Sequence, residues 1–336
     1  MNRAKQGIRI RPWFMVLAMV LGTGCQRRVE TETARVGGPT AVSPDEEYVM
    51  VTTIVNFPLY VRHDQAAFKR WGEQMGVKTA ILGPSDWDVP AQIAAIEQVI
   101  PTKPTGLLIN GTELAIADAI NKAVEAGIPT VVYDSDVPSS KRHAFIGSDW
   151  YGMGRSQGRA MVRLLGGRGK VAYMGIVGMS NQEAGFRGLE DVIKEHKGIE
   201  TVGPFNDKCS MEEAARVTSD IISAHPDIAG ICGFTGTAGP GIAMAVKEAG
   251  KVGKIKITTV DWEPEHLRLL QDGVIQHLVG QKRELFTWYG AQFLFDMVHG
   301  AVRFTEDDAK AGVAPVPYSV DTGLIEITPE NVHMFL

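Results

Sequence analysis

The chain has 336 residues, with 34 Lys and Arg against 39 Asp and Glu and a net charge of −5. Hydrophobic residues make up 44% and charged residues 22%, the proportions of a folded globular protein rather than a disordered one. No basic stripe offsets the acidic balance, which disfavours a nucleic-acid surface. Three cysteines in so long a chain exclude a disulfide scaffold.

In chain order, the first 25 residues read as an export signal. Arg3, Lys5, Arg9 and Arg11 precede the apolar run WFMVLAMVL at 13–21, and small residues follow. The run is about half of the ~20 residues that a spanning helix needs. The series Gly22-Thr23-Gly24-Cys25 resembles the lipobox of bacterial lipoproteins. That resemblance implies that Cys25 becomes the lipidated N-terminus of the mature protein. The usual Leu three places before the Cys is here Gly22, with Leu21 one step earlier. An ordinary cleaved signal with an incidental Cys is the alternative, and either reading places the protein outside the cytoplasm. Residues 26–44 are rich in Thr, Glu, Arg, Gly and Pro and lack apolar periodicity, as in a flexible tether.

The remaining chain, about 300 residues, suffices for two domains. Short apolar runs alternate with amphipathic stretches from Tyr48 onward. Strands are predicted at 48–55, 77–83, 105–110, 129–134 and 144–147, then at 170–175, 199–205, 228–234, 255–261 and 275–281. Between them, PLYVRHDQAAFKRWGEQMG, VPAQIAAIEQVI, ELAIADAINKAVEAG and MEEAARVTSDIISAH carry apolar residues at helical spacing. Strict alternation of strand and helix predicts parallel sheets covered on both faces. The first series closes at Ile146-Gly147-Ser148-Asp149 and a second begins there, so two α/β domains are expected rather than one large sheet.

No GxGxxG follows the first strand, and no GxxxxGK[ST], GxSxG, CxxC or HExxH occurs. His63 and His143 stand beside no obvious nucleophile. A lipid-tethered hydrolase is therefore disfavoured, and no metal or cofactor is expected. Cys232 lies in IAGICGF and reads as a small buried apolar residue; whether it pairs with Cys209 stays open.

Several segments together resemble the bacterial periplasmic sugar-binding proteins of the ribose and galactose type, which share their fold with the ligand domains of LacI-type repressors. They are VTTIVNFPLYV, AGIPTVVYDSDVPSSKR, IGSDWYGMGRSQGRAMV, GPGIAMAVKEAGK, ITTVDWEPEHLRLLQDG and LVGQKRELFTWYGAQFLF. The match runs from about Tyr48 to the end of the chain. An export signal stands where the repressors carry a DNA-binding helix-turn-helix. The resemblance implies a type I periplasmic binding protein, with two doubly wound parallel-sheet domains joined by a three-crossover hinge. Residues 45–148 plus 281–311 would form one lobe, and 149–280 plus 312–336 the other. It also implies a monomer that captures a small carbohydrate-like ligand by hinge closure and delivers it to the permease and ATPase of an ABC importer. A receptor presenting its ligand to a membrane sensor kinase is the variant reading.

The same resemblance implies the ligand contacts. Asp134 and Asp261 end strands at the expected cleft, with Trp262 beside Asp261, and Gln281 stands at a crossover. Thr53, Phe57 and Tyr60 occupy the first strand–helix turn. Asp149 lies at another crossover, where a hinge role competes with binding. Two departures bear on the ligand. An Arg usually precedes a Gly-Phe pair, but here Asn181, Gln182 and Glu183 precede Gly185-Phe186 and Arg187 follows. An Asn common in a later turn is absent, and FTGTAGPG offers only Thr235 and Thr237. A pocket without that Arg and Asn has fewer charged donors and suits a smaller polyol, a deoxy sugar or another small polar molecule, while a standard aldopentose or hexose stays the best single class by family frequency.

Overall fold

The structure, a computed structural model, describes residues 41–336 apart from Thr112 and Ala301. The export signal, Cys25 and most of the tether lie outside the described residues. The first series runs β1 (Glu47–Val51), α1 (Ala66–Met75), β2 (Lys78–Leu82), α2 (Val89–Val99), β3 (Gly106–Asn110), α3 (Ala117–Glu125), β4 (Thr130–Asp134) and β5 (Ala144–Gly147). The second runs α4 (Trp150–Leu165), β6 (Gly169–Gly175), α5 (Ser180–Lys194), β7 (Ile199–Asn206), α6 (Met211–Ala224), β8 (Ile228–Gly233), α7 (Ala238–Glu248), β9 (Lys256–Val260), α8 (Pro264–Gln271) and β10 (His277–Gln281). α9 (Arg283–His299) then returns to the first sheet, and the short strands β11 (Ser319–Asp321) and β12 (Leu324–Ile327) follow.

Two six-stranded sheets result, in the orders β11-β5-β4-β3-β1-β2 and β12-β10-β9-β8-β6-β7. All pairings are parallel except β12 on β10. Every residue of β3 and β4 is buried, because helices cover both faces of a parallel sheet. Alternate residues of one strand feed opposite layers. Tyr48 and Met50 pack with Phe68, Trp71 and Phe286, whereas Val49 and Val51 pack with Ile96, Ile109 and Ile120. In the second lobe, α4 and α5 approach so closely that a Cβ on Gly154 would lie 1.8 Å from the carbonyl oxygen of Gly185. Gly154, near the start of α4, thus serves helix packing, whereas a Cβ on Gly152 would meet the capping Asp149 carboxylate at 2.4 Å.

Three crossovers join the lobes, at Ser148-Asp149, Lys282 and Thr322-Gly323. The first and last are tied together: Thr322 N–H donates to the Gly147 carbonyl at 2.9 Å, and Asp149 N–H donates to Asp321 Oδ1 at 3.1 Å. This moves the expected boundary. Residues as far as Asp321 stay with the first sheet, so the last crossover lies at 322–323 and not at 311. Gln281, assigned above to the first lobe, is the last residue of β10 in the second. The reason is local: β11 is a three-residue edge strand whose pairing to β5 leaves no period-two pattern to read.

Candidate ligand-binding site

Each sheet has the order 2-1-3-4-5 of an open doubly wound fold, in which ligands bind beyond the strand C-termini at the switch point. Those ends carry the polar side chains. Asp134 ends β4, and Asp261 follows β9, the equivalent strand of the second lobe. Both have left-handed backbones, with φ of 74° and 68°. Asp tolerates that region better than most residues, and such strain clusters at functional sites.

The cluster around Asp134 is held by a cation that sequence reading missed. Arg283, the first residue of α9, donates from Nη1 and Nη2 to the two Asp134 carboxylate oxygens, both at 3.1 Å. Its Nε and Nη2 donate to Asp64 at 2.9 and 2.7 Å. The guanidinium lies 4.9 Å from the Tyr60 ring centroid, within cation–π range. Asn110 Nδ2 donates to Asp134 Oδ2 at 3.3 Å, and the Thr53 hydroxyl donates to Asn110 Oδ1. Asp64 and Tyr60 lie in a π-helical turn, Tyr60–Gln65, ahead of α1. Asp64 left one trace in the sequence: it interrupts the buried stripe of Tyr60, Phe68 and Trp71. Burial pushes its carboxyl up to about 7, against the pull of Arg283.

On the second lobe, Gln281 Nε2 donates weakly to Asp261 Oδ1 at 3.4 Å, while Gln281 Oε1 is buried with no partner. Burial raises Asp261 to about 6, and Arg283 is the main opposing charge. Thr235 Oγ1 donates to buried Asp207 at 2.6 Å and accepts from Ala238 N–H at 3.1 Å, so it also caps α7. Thr237 lies beside it, against the Cys209 thiol. Cys209 and Cys232 are both free thiols. Phe57 packs edge-on to Tyr60, with centroids 5.1 Å apart.

Three expected contacts have other engagements. The Asp149 carboxylate accepts from Gly152 N–H at 2.9 Å and so caps α4 at the first crossover. Asn181 Oδ1 accepts from the neighbouring Gln182 N–H at 2.8 Å on the first turn of α5. Trp262 is half-buried on the hinge: Nε1 donates to the Gln281 carbonyl at 3.4 Å, and its ring packs on Phe335 and His63.

His63 links the lobes. Its Nε2 lies 2.7 Å from Glu263, in the β9–α8 loop, and its Nδ1 2.6 Å from Glu284 on α9. Burial alone would lower its pKa, but the two carboxylates hold it at about 9. A His raised in this way contributes stability that is complete below about 6.5 and is lost as pH rises through about 9. Melting temperatures taken from pH 6 to pH 10 should show the advantage of wild type over His63→Gln shrinking with rising pH. A constant gap would rule out the charged bridge.

A periplasmic binding protein domain model matches residues 48–301. The chain belongs to the periplasmic binding protein family. It is similar to a D-apiose import binding protein of Paraburkholderia graminis, 29% identical over 199 residues, which are 56% of this chain and 63% of that protein. Among solved structures it resembles AraP, an arabinose binding protein from Geobacillus stearothermophilus, at 32% identity and a TM-score of 0.75, covering 87% of this chain and 100% of that one. It also resembles a sugar-binding protein of a sugar ABC transporter from Bacillus halodurans, at 28% identity and a TM-score of 0.79, with coverage of 87% and 100%. Membership of the periplasmic binding protein family carries export to the periplasm. Among the described residues, no helix is long and apolar enough to cross a membrane.

Proposed function

We propose that this chain captures a small sugar or polyol between its lobes by hinge closure and delivers it to an ABC importer. One observation carries the reading: each lobe presents, at its equivalent strand end, a buried aspartate with a left-handed backbone. Carboxylates placed in this way accept ligand hydroxyls from both sides of a cleft. The names of the apiose- and arabinose-binding relatives point to the same chemical class. Closure follows if the ligand binds the closed arrangement better than the open one. No chemistry on the ligand is part of this reading.

The test is thermal unfolding of the mature protein with D-apiose, L-arabinose, D-ribose, D-glucose and xylitol. A ligand that binds only the folded state raises the melting temperature, by about 2.7 kcal/mol of added stability at a hundred times its Kd. At least one of the panel should give that shift, and none doing so at millimolar concentration would sink the reading.

Anchoring through lipidated Cys25 is the second part of the proposal, motivated by the basic, apolar and small-residue series before it. Cys25→Ser expressed in the native host should move the protein from the membrane to the soluble fraction. Wild type already found in the soluble fraction would overturn the anchor.

A further inference from the structure

Beyond the polar cluster, the cleft has an outer compartment of about 580 Å³, lined by both lobes. Asn56, Phe57, Asp86 and Trp87 come from the first lobe, and Asn206 and Lys208 from the second. Asp134, Asp261, Gln281 and Arg283 are all buried and take no part in its lining. Two residues connect this compartment to the buried cluster. Phe57 faces the outer compartment and packs on Tyr60 of the inner cluster. Cys209 likewise lines the outer space and meets Thr237 on its other side.

The volume falls within the ~300–1,000 Å³ of pockets that hold drug-sized molecules. Its chemistry suits a sugar. The half-buried Trp87 supplies an aromatic face for ring C–H groups. The Asn56 amide both donates and accepts, and Asp86 accepts. Asn206 Oδ1 already accepts from the Lys208 backbone N–H at 2.9 Å, and the Lys208 ammonium pairs with Glu213 at 3.3 Å. That leaves the Asn206 amide N–H groups and the remaining Lys208 ammonium protons as donors. A further cavity of about 370 Å³ borders this one and shares Trp87 and Ile176 with it.

We propose that the outer compartment is a second subsite and that the ligand is a disaccharide, with one ring on the Asp134–Asp261 cluster and the other on Trp87. This rests on the reading that the inner cluster binds one sugar ring. The second ring also touches both lobes, so it adds to the interactions made only on closure.

Calorimetric titration with matched pairs tests the proposal: D-xylose with xylobiose, D-glucose with cellobiose, L-arabinose with arabinobiose, and D-ribose with adenosine. At least one disaccharide should bind tenfold or more tightly than its own monosaccharide. Trp87→Ala should lower that disaccharide's affinity about tenfold and leave the monosaccharide within twofold, while Trp87→Phe keeps most of the gain. If some sugar binds but no disaccharide exceeds its own monosaccharide tenfold, or adenosine binds in place of every disaccharide, the second sugar subsite is overturned and capture by the inner cluster stands. If no member of any pair binds, the sugar reading itself falls, and the subsite with it.

Discussion

Replacing Arg283 with Met is expected to cost the fold about 3–5 kcal/mol at pH 7, the range seen when one partner of a buried ion pair is removed. Arg283 and Asp64 are 3% and 0% exposed, so solvent screens neither. The guanidinium makes four charge-assisted hydrogen bonds to Asp64 and Asp134, all at 3.1 Å or less. Methionine keeps much of the volume against Tyr60 and Phe286 but leaves both carboxylates facing each other. Denaturant unfolding measures the loss. The pH dependence has a definite sign. Asp64 already binds its proton more tightly in the folded state than in the unfolded chain. Without the cation it binds it more tightly still, so part of the loss returns between pH 7 and pH 5. The double variant Arg283→Met with Asp64→Leu should recover part of the loss, because it removes one of the two stranded carboxylates, while Asp134 stays without its cation and keeps the rest. A single-variant loss below about 1 kcal/mol would mean that the pair is already solvated.

Asp261→Asn should weaken ligand binding tenfold or more. The carboxylate can accept two ligand hydroxyls through hydrogen bonds worth about 1.5–3 kcal/mol each, and ~1.4 kcal/mol is one decade of affinity. Asparagine keeps the shape and tolerates the left-handed backbone of this position, so the change isolates charge and acceptor capacity from folding. Burial raises Asp261 to about 6. A ligand that donates hydroxyls favours the ionised form, so wild-type affinity should fall as pH drops from 7 to 5 while that of the Asn variant stays flat. Calorimetric titration at both pH values, with unfolding of the ligand-free variants alongside, checks this. Normal affinity in Asp261→Asn would remove Asp261 from the site. Trp262 is a weaker candidate for direct contact, since its ring is committed to the hinge against His63 and Phe335 and its indole N–H to Gln281.

Much of this architecture is legible in the chain because parallel strands buried on both faces read as continuous apolar runs. TGLLIN and PTVVYD fall on β3 and β4, and the aspartates ending PTVVYD and IKITTVD fall at equivalent strand ends. The two-lobe division at Ser148-Asp149 was visible because the alternation restarts there. The short edge strands β11 and β12 were not visible, having three and four residues and half-exposed side chains with no period to detect.

The sequence by itself determined the class of fold, the division into two lobes and the strand-end aspartates, since each depends on neighbours within about ten residues. Only the tertiary structure decided what those aspartates meet. Arg283 lies 149 residues from Asp134 and 219 from Asp64, and His63 lies 200 residues from Glu263. Before folding, Arg283 is one more charge at a helix start and Asp64 one more on an amphipathic helix. Coulomb attraction becomes specific only where the chain brings opposite charges within about 3 Å and removes the water between them. No local pattern encodes that meeting.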